Sequence, residues 1–322
     1  MRSARRECPL YCFSIIAYPF EFVCAARRKP ISAQTAECLP IAVTQRPRIV
    51  SLPERIGQGT DMNTKKTATT IRSQTGYGWI PDLPDQRDHF YSAVHAIPAR
   101  LPEKVDLRKQ CSPIEDQGQL GSCTANALAG ALEFLELKSK QPLVDLSRLF
   151  IYYNERVIEH SVTHDDGAML RDGIKTLAKQ GVCPEKLWPY VIKQFAKKPA
   201  PACYAQAKQH TISNYQRLST TDEMRACLAS GYPFVFGFTV YESFESAAVA
   251  RTGVLNLPKK SERAMGGHAV CAVGYDDGAQ RFIVRNSWGP DWGKQGYFTM
   301  PYAYLADRNL SDDFWTMRKL VA

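Results

Sequence analysis

The hydrophobic pattern changes period part-way along the chain, and that change limits the folds open to it. From Thr124 onward Leu128, Ala131, Leu132 and Leu135 recur at helical spacing, which predicts a helix that opens at Cys123 and runs to Lys138. Residues 145–157 read as a second helix, with Leu149, Tyr152, Tyr153 and Arg156 setting an aromatic face inward. Residues 169–180 read as a third, closed by Gly181, a residue suited to a helix C-terminus. Further on, apolar residues gather into β-rich runs at 232–240, 269–275, 281–286 and 297–300. A last run, 314–321, is placed to return and tie the halves together. A helix-rich half followed by a strand-rich half predicts an α+β fold of two lobes with a cleft between them. The helical lobe is expected over about 101–205, the β-rich lobe over about 206–310, and a C-terminal strand over 311–322.

At 322 residues the chain is long enough for two packed lobes. Its formal net charge of +9 is unevenly spread: residues 1–61 hold nine Lys/Arg against five Asp/Glu, 62–100 five against three, and the remainder 27 against 24. The basic excess belongs mainly to the N-terminal third, and no stripe of Lys/Arg interleaved with aromatics runs through the body, so nucleic acid is not an expected partner. Ten cysteines are scattered without a C-x2-C pair, which makes a structural zinc site improbable. Residues 1–61 form an extension with three readings: a signal-like segment, disorder, or a stretch that is not translated, with Met62 the true start. Arg2, Arg5 and Arg6 precede an apolar run over 10–26 with Cys24-Ala25-Ala26 as a small-residue cleavage site, while Pro19 and Glu21 interrupt it and argue against a membrane span. A signal implies a secreted or periplasmic protein; otherwise the cytoplasm is expected. Residues 62–100 form a propeptide-like arm. Its segment GYGWIPDLPDQRDHFYS, 76–92, carries Trp79 and Ile80 as apolar anchors, with Pro81 and Pro84 blocking helix. Such an arm either packs along a groove of the body or stays loose, and the groove is favoured because a loose tail would expose Trp79, Phe90 and Tyr91.

Two stretches carry chemistry. In the first, QGQLGSC, the glycines Gly118 and Gly121 with Ser122 make a tight loop, and Cys123 falls at the helix N-terminus, where the macrodipole favours thiolate over thiol. Gln117, six positions upstream, is placed to bring a side-chain amide beside the Cys123 N–H, and together they would form a pair of donors for an oxyanion. In the second, GGHAVCAVGYDDGAQRFIVRNSWG, an Asp277-Gly278 turn predicts a hairpin. A turn centred on Asp277 sets His268 opposite Asn286, so that the asparagine fixes the imidazole tautomer, with Trp288 shielding their hydrogen bond.

Together QGQLGSC, GGHAV and NSWGPDWGKQGY resemble the three active-site blocks of the papain-like cysteine peptidases, in the same order and spacing, and the GYGWIPDLPDQRD arm with the TAN after the cysteine resembles a bacterial branch of that family. The resemblance runs from about Leu101 to the C-terminus. It implies Cys123 as nucleophile, His268 as general base and acid, Asn286 as the orienting group and Gln117 as the oxyanion-hole side chain. It also implies a main specificity pocket walled by Gly167, Ala168, Met169 and Leu170, by Gly266, Gly267 and Ala269, and by Asp312 at its floor. The implied activity is endopeptidase hydrolysis through a thioester. The family's long helical propeptide has no counterpart in 62–100; the restraint we expect from the arm, lying in or near the cleft, rests on its anchors Trp79 and Ile80 rather than on the resemblance. The reaction needs no metal or organic cofactor, and we expect a monomer acting on peptide or protein substrates. Transpeptidation, non-protein amides or a catalytically silent binding scaffold are the alternatives. This chain departs from the family pattern in three places. Leu120 replaces the first cysteine of C-G-S-C, Thr124 replaces the aromatic after the nucleophile, and Asp165-Asp166-Gly167-Ala168 replaces C-N-G-G, so both halves of one family disulfide are missing. Cys183 and Cys203 are left as a candidate substitute bridge.

Overall fold

The computed structural model describes residues 76–319, which lie within one compact unit. The three readings of residues 1–61, and the first part of the arm, lie outside the described residues.

The helical side is built around α1 (Cys123–Lys138), buried from Cys123 through Glu136. A helix without a polar face can only be central, and Ala125, Ala127, Ala129 and Ala131 let neighbouring elements approach it closely. α2 (Arg148–Ile158) begins three residues later than the sequence pattern suggests, because the Ser147 side chain caps it by accepting from Phe150 N at 3.2 Å. α3 (Leu170–Lys179) ends as expected before Gly181, which takes a positive φ of 78°. α4 (Pro201–Ala207) opens with proline in its first turn, where the missing N–H does no harm.

The strand-rich half is a seven-stranded sheet whose strands all pair antiparallel: β1 (Lys104–Asp106), β2 (Asn214–Arg217), β3 (Phe234–Tyr241), β4 (Ala264–Asp276), β5 (Arg281–Arg285), β6 (Tyr297–Pro301) and β7 (Ser311–Arg318). The order is β2-β7-β3-β4-β5-β6, with β1 on β4. Short helices α5 (Thr221–Ala229), α6 (Ala247–Thr252) and α7 (Tyr302–Ala306) lie between its strands in chain order. Phe234, Phe236, Phe238, Phe282, Phe298 and Phe314 form a run of aromatic contacts in its core. α1 packs against β4, which brings the start of the helix beside the strand that carries His268.

The β4–β5 register differs from the sequence expectation. Asp276 pairs with Arg281 and Cys271 with Arg285, so the connection is the four residues 277–280 rather than a tight Asp-Gly turn. Gln280, at φ 53°, supplies the left-handed position, and a bulge between Ala272 and Gly274 shifts the ladder once more. Asn286 therefore lies just past the end of β5 and is not the cross-strand neighbour of His268.

Candidate active site

Gln117 is fixed at both ends of its amide. Ser287 Oγ donates to its Oε1 at 2.6 Å, and Gln117 N donates to Ser287 O at 2.9 Å, tying the loop before α1 to the segment after β5. Its Nε2 donates to Leu120 O at 3.0 Å and to the carbonyl of Gly76, in the arm, at 2.7 Å. Tyr190 OH donates to Gln117 O at 2.9 Å and also meets Ser122 Oγ. The loop that carries the amide and the thiol is thus held from three sides.

His268, buried on β4, shares a 2.8 Å hydrogen bond between its Nε2 and Asn286 Oδ1. Asn286 is held in turn by its own N–H on Gly296 O and by Ser287 N donating to Oδ1, both at 2.9 Å. The bond survives the register shift because it depends on these anchors rather than on strand pairing. Trp288 lies 5.0 Å from the imidazole, ring centre to ring centre, and Phe238, Tyr77 and Phe244 follow at 5.8, 6.1 and 6.2 Å. Such an aromatic jacket keeps water from competing for the bond.

Cys123 is the first residue of α1, and backbone N–H groups of Ala269, Gly78 and Thr124 face its sulfur. These donors favour thiolate, yet burial outweighs them and pushes the thiol up to about 12. The thiolate-favouring helix end expected from sequence is present, but the arm now covers it.

The arm runs through the cleft. Trp79 N donates to Gly267 O and Ile80 N to Ala168 O, each at 3.0 Å, while Ala168 N donates to Gly78 O at 2.7 Å, a parallel bridge between Trp79 and Ala168. Gly78 passes so close to the nucleophile loop that a Cβ on it would lie 1.8 Å from the Gly121 carbonyl oxygen. The Trp79 indole lies against Gly237, where a Cβ would be 1.9 Å from the ring. Its Nε1 donates to Asp313 Oδ2 at 3.0 Å. Of the two anchors expected from sequence, Trp79 is buried and Ile80 is half-buried; further along the arm Phe90 is exposed and Tyr91 is buried.

Of the residues assigned to the specificity pocket, Gly167, Ala168, Gly266, Gly267 and Ala269 lie along the arm or the thiol. Met169 caps the start of α3, its N–H on Glu159 Oε1 at 2.8 Å, and Leu170 is buried. Asp312 is not at the floor. Its carboxylate turns to Arg217, at 3.0 Å, and to Arg308. Asp313 meets the Trp79 indole instead, because it adopts φ 57° beside an irregularity in the β3–β7 pairing, and the alternation of side chains breaks there. Alternation along a regular strand could not have shown this. The bridge expected between Cys183 and Cys203 is absent as well. Both are buried free thiols in contact, and Cys203 Sγ faces Leu187 O at 3.7 Å. Asp313, Ser287, Asp165 and Asp82 were not singled out from sequence as site residues; nothing in spacing marks them.

The family model "Papain family cysteine protease" matches residues 101–310. The chain is 43% identical over 280 residues to an uncharacterised peptidase C1-like protein of Acanthamoeba polyphaga mimivirus, covering 79% of this chain and 89% of that one. Among solved structures it is similar to xylellain, a cysteine protease from Xylella fastidiosa, at 47% identity and a TM-score of 0.71, covering 78% of this chain and 98% of that one. The fold, at 20% identity and a TM-score of 0.58, is shared with digestive procathepsin L 3 of Tenebrio molitor, covering 77% of each chain. With the family model spanning most of the chain, this protein belongs to the papain family of cysteine proteases.

Proposed function

We propose that this cysteine peptidase cleaves peptide bonds through a Cys123 thioester and that its own arm restrains it. The Cys123 thiol gives its proton to His268, and since Nε2 is engaged by Asn286, the exchange runs through Nδ1. The thiolate attacks the substrate carbonyl carbon. Gln117 Nε2 and the Cys123 N–H take the oxyanion, and the imidazolium protonates the departing amine. Water then attacks the thioester, giving its proton to His268 and releasing the acid and the thiol.

The observation that carries this reading is the Gly76 carbonyl on Gln117 Nε2 at 2.7 Å, next to a cysteine at a helix start. A carbonyl oxygen occupies the place an oxyanion would need. From the arm, the group that faces the sulfur is the N–H of Gly78, two residues beyond the carbonyl that Gln117 holds. That mismatch supports an arm that occupies the cleft without being cut there.

Hydrolysis of a short fluorogenic peptide by the full chain, before and after Cys123→Ala, tests the chemistry; turnover that persists in the variant refutes it. For the arm, Gly78→Ala in the full chain should raise the rate, since the added methyl cannot fit against Gly121. Equal rates for two folded preparations leave the arm only a packing role.

A further inference from the structure

Asp165 stands where the family carries one half of a disulfide, and Leu120 where it carries the other. The side chain of Asp165 nonetheless ties the same two segments together. Gly121 N donates to its Oδ1 at 3.0 Å and to its Oδ2 at 3.1 Å, and Tyr152 OH donates to Oδ1 at 2.5 Å. Tyr152 is buried, and its hydroxyl accepts from Gly167 N at 3.3 Å. A continuous path thus leads from the nucleophile loop, through a carboxylate and a phenol, to the segment that pairs with the arm at Ala168.

We propose that the Asp165–Tyr152 pair is a positioning device, a non-covalent replacement for the lost disulfide that holds the loop carrying Gln117 and Cys123 in register with the Gly167–Ala168 segment. The inference rests on the roles proposed above for Gln117 and Cys123. The turn that delivers Asp165 is itself anchored from inside. The Arg156 guanidinium lies 3.9 Å above the Tyr152 ring and donates to the carbonyls of Val162 and His164 at 2.8 and 3.0 Å. Burial, and then the hydrogen bond to Asp165, push the Tyr152 hydroxyl far above its ordinary range, so it remains a donor at any working pH. The choice of a carboxylate follows from its acceptors. Its two oxygens receive the Gly121 N–H and the Tyr152 O–H at once, whereas an amide would turn its NH2 toward one of these donors. Asp165 as a residue is exposed, so water competes for its oxygens, and the pair owes its hold to two donors that rigid backbone and packing keep in place. A tie of this kind is indifferent to thiol reductants.

The test compares Asp165→Asn and Asp165→Ala with their parents in two full-length backgrounds, the natural arm and Gly78→Ala. kcat and KM for a short peptide amide, counted per titrated Cys123, are set beside the rate of Cys123 alkylation by iodoacetamide, which needs no oxyanion donor. We expect kcat to fall about tenfold or more by the same factor in both backgrounds, from displacement of Gln117, while alkylation changes less than about threefold. The variant Leu120→Cys/Asp165→Cys, once oxidised, should recover kcat, and reducing that bond should return it to the Asp165→Ala level. An unchanged kcat in both single variants overturns the proposal. So does a parallel fall of kcat and alkylation, which marks general loss of fold, or a cross-link that forms and rescues nothing. Absence of turnover in both parents is a different result: it refutes the proposed function and takes this inference with it.

Discussion

At Cys123 two influences oppose each other, and the balance turns on the arm. The helix start and three N–H donors favour the thiolate, whereas full burial pushes the thiol up to about 12. Readmitting water to the sulfur removes the larger effect. Iodoacetamide should therefore label Cys123 slowly in the full chain and at least about tenfold faster in Gly78→Ala, as read by peptide mass spectrometry. Cys227 and Cys271, both buried and both held above the ordinary thiol range by that burial, should stay unlabelled in either protein. Equal labelling of all three would remove the case for a privileged thiol. Gln117→Ala should lower kcat about 10²- to 10³-fold, the usual loss for one oxyanion donor, with KM little changed. A similar consideration applies to Asp313 in the pocket that Trp79 fills. Its Oδ1 already accepts from Arg217 at 2.8 Å, so an arginine entering the pocket meets a charge that is largely spoken for, while an indole N–H meets Oδ2, whose donors Trp79 Nε1 and Asp82 N both belong to the arm and leave with it. Peptides with tryptophan at that position should be cleaved about tenfold faster than phenylalanine analogues, and Asp313→Asn should reduce the preference. A panel in which phenylalanine equals tryptophan in the wild type disposes of the idea.

Among the elements, the arm departs most from what a regular pattern can foretell. Its apolar Trp79 in a polar, proline-bearing stretch was enough to predict packing in a groove, and the parallel bridge to Ala168 puts it in the cleft. α1, α2 and α3 and the strands β3, β4, β5, β6 and β7 were legible within a few residues, because each is long enough for its period to show. The short α4, α5 and α6 were not, nor were β1 and β2, where three or four residues cannot establish a period. Two local backbone features also escaped notice. One is Gln280 at φ 53°, which lengthened the hairpin connection; the other is Asp313 at φ 57°, which exchanged the roles expected of Asp312 and its neighbour. Neither residue is glycine, so composition gave no sign of either turn. The site residues found by motif, Gln117, Cys123, His268 and Asn286, do converge, yet the groups that hold them in place, Ser287, Asp165 and Tyr190, are visible only in three dimensions. A prediction belongs to the arm as well. Trp79→Ala removes the indole from its place between Gly237 and Asp313 and should raise the rate of the full chain at least as far as Gly78→Ala does. If it slows the full chain instead, Trp79 supports the fold rather than blocks the cleft.

For the molecule as a whole, the arm is fastened by a cluster of charges drawn from four segments. Arg171 of α3 donates to Asp82 through its backbone and to Asp88 through its side chain, at 3.0 Å for Asp82 Oδ1 and 2.6 Å for Asp88 Oδ2. Arg217 of β2 reaches Asp88 at 3.2 Å, Asp312 at 3.0 Å and Asp313 at 2.8 Å. Trp315 Nε1 donates to Asp82 Oδ2 and Asp82 N to Asp313 Oδ2, both at 2.8 Å. Four carboxylates face these two guanidinium groups, with Arg308 on the outer side of Asp312 and with Glu159 and Asp172 nearby on the α2 and α3 side. Burial raises Asp82, and burial together with the neighbouring Asp82 charge pushes Asp313 up to about 7. Glu159, also buried, is pushed up to about 7. With the arm withdrawn, water reaches Asp82 and Asp313, and their carboxyls move back toward the ordinary value of about 4. The closed state then holds protons that the open state releases between about pH 4 and 7, so linkage favours the closed state as pH falls through that window and the open state as pH rises through 7. Acid should tighten this arm. The measurement is the rate of the full chain divided by that of Gly78→Ala, which cancels the titration of the catalytic groups common to both. From about pH 8 to about pH 5 the ratio should fall, by at most about tenfold per pH unit for each carboxyl that takes up a proton, and Asp313→Asn should flatten it. A ratio that rises on acidification means that the carboxylates are needed charged, gripping Arg171 and Arg217, and that ion pairing rather than burial governs the latch.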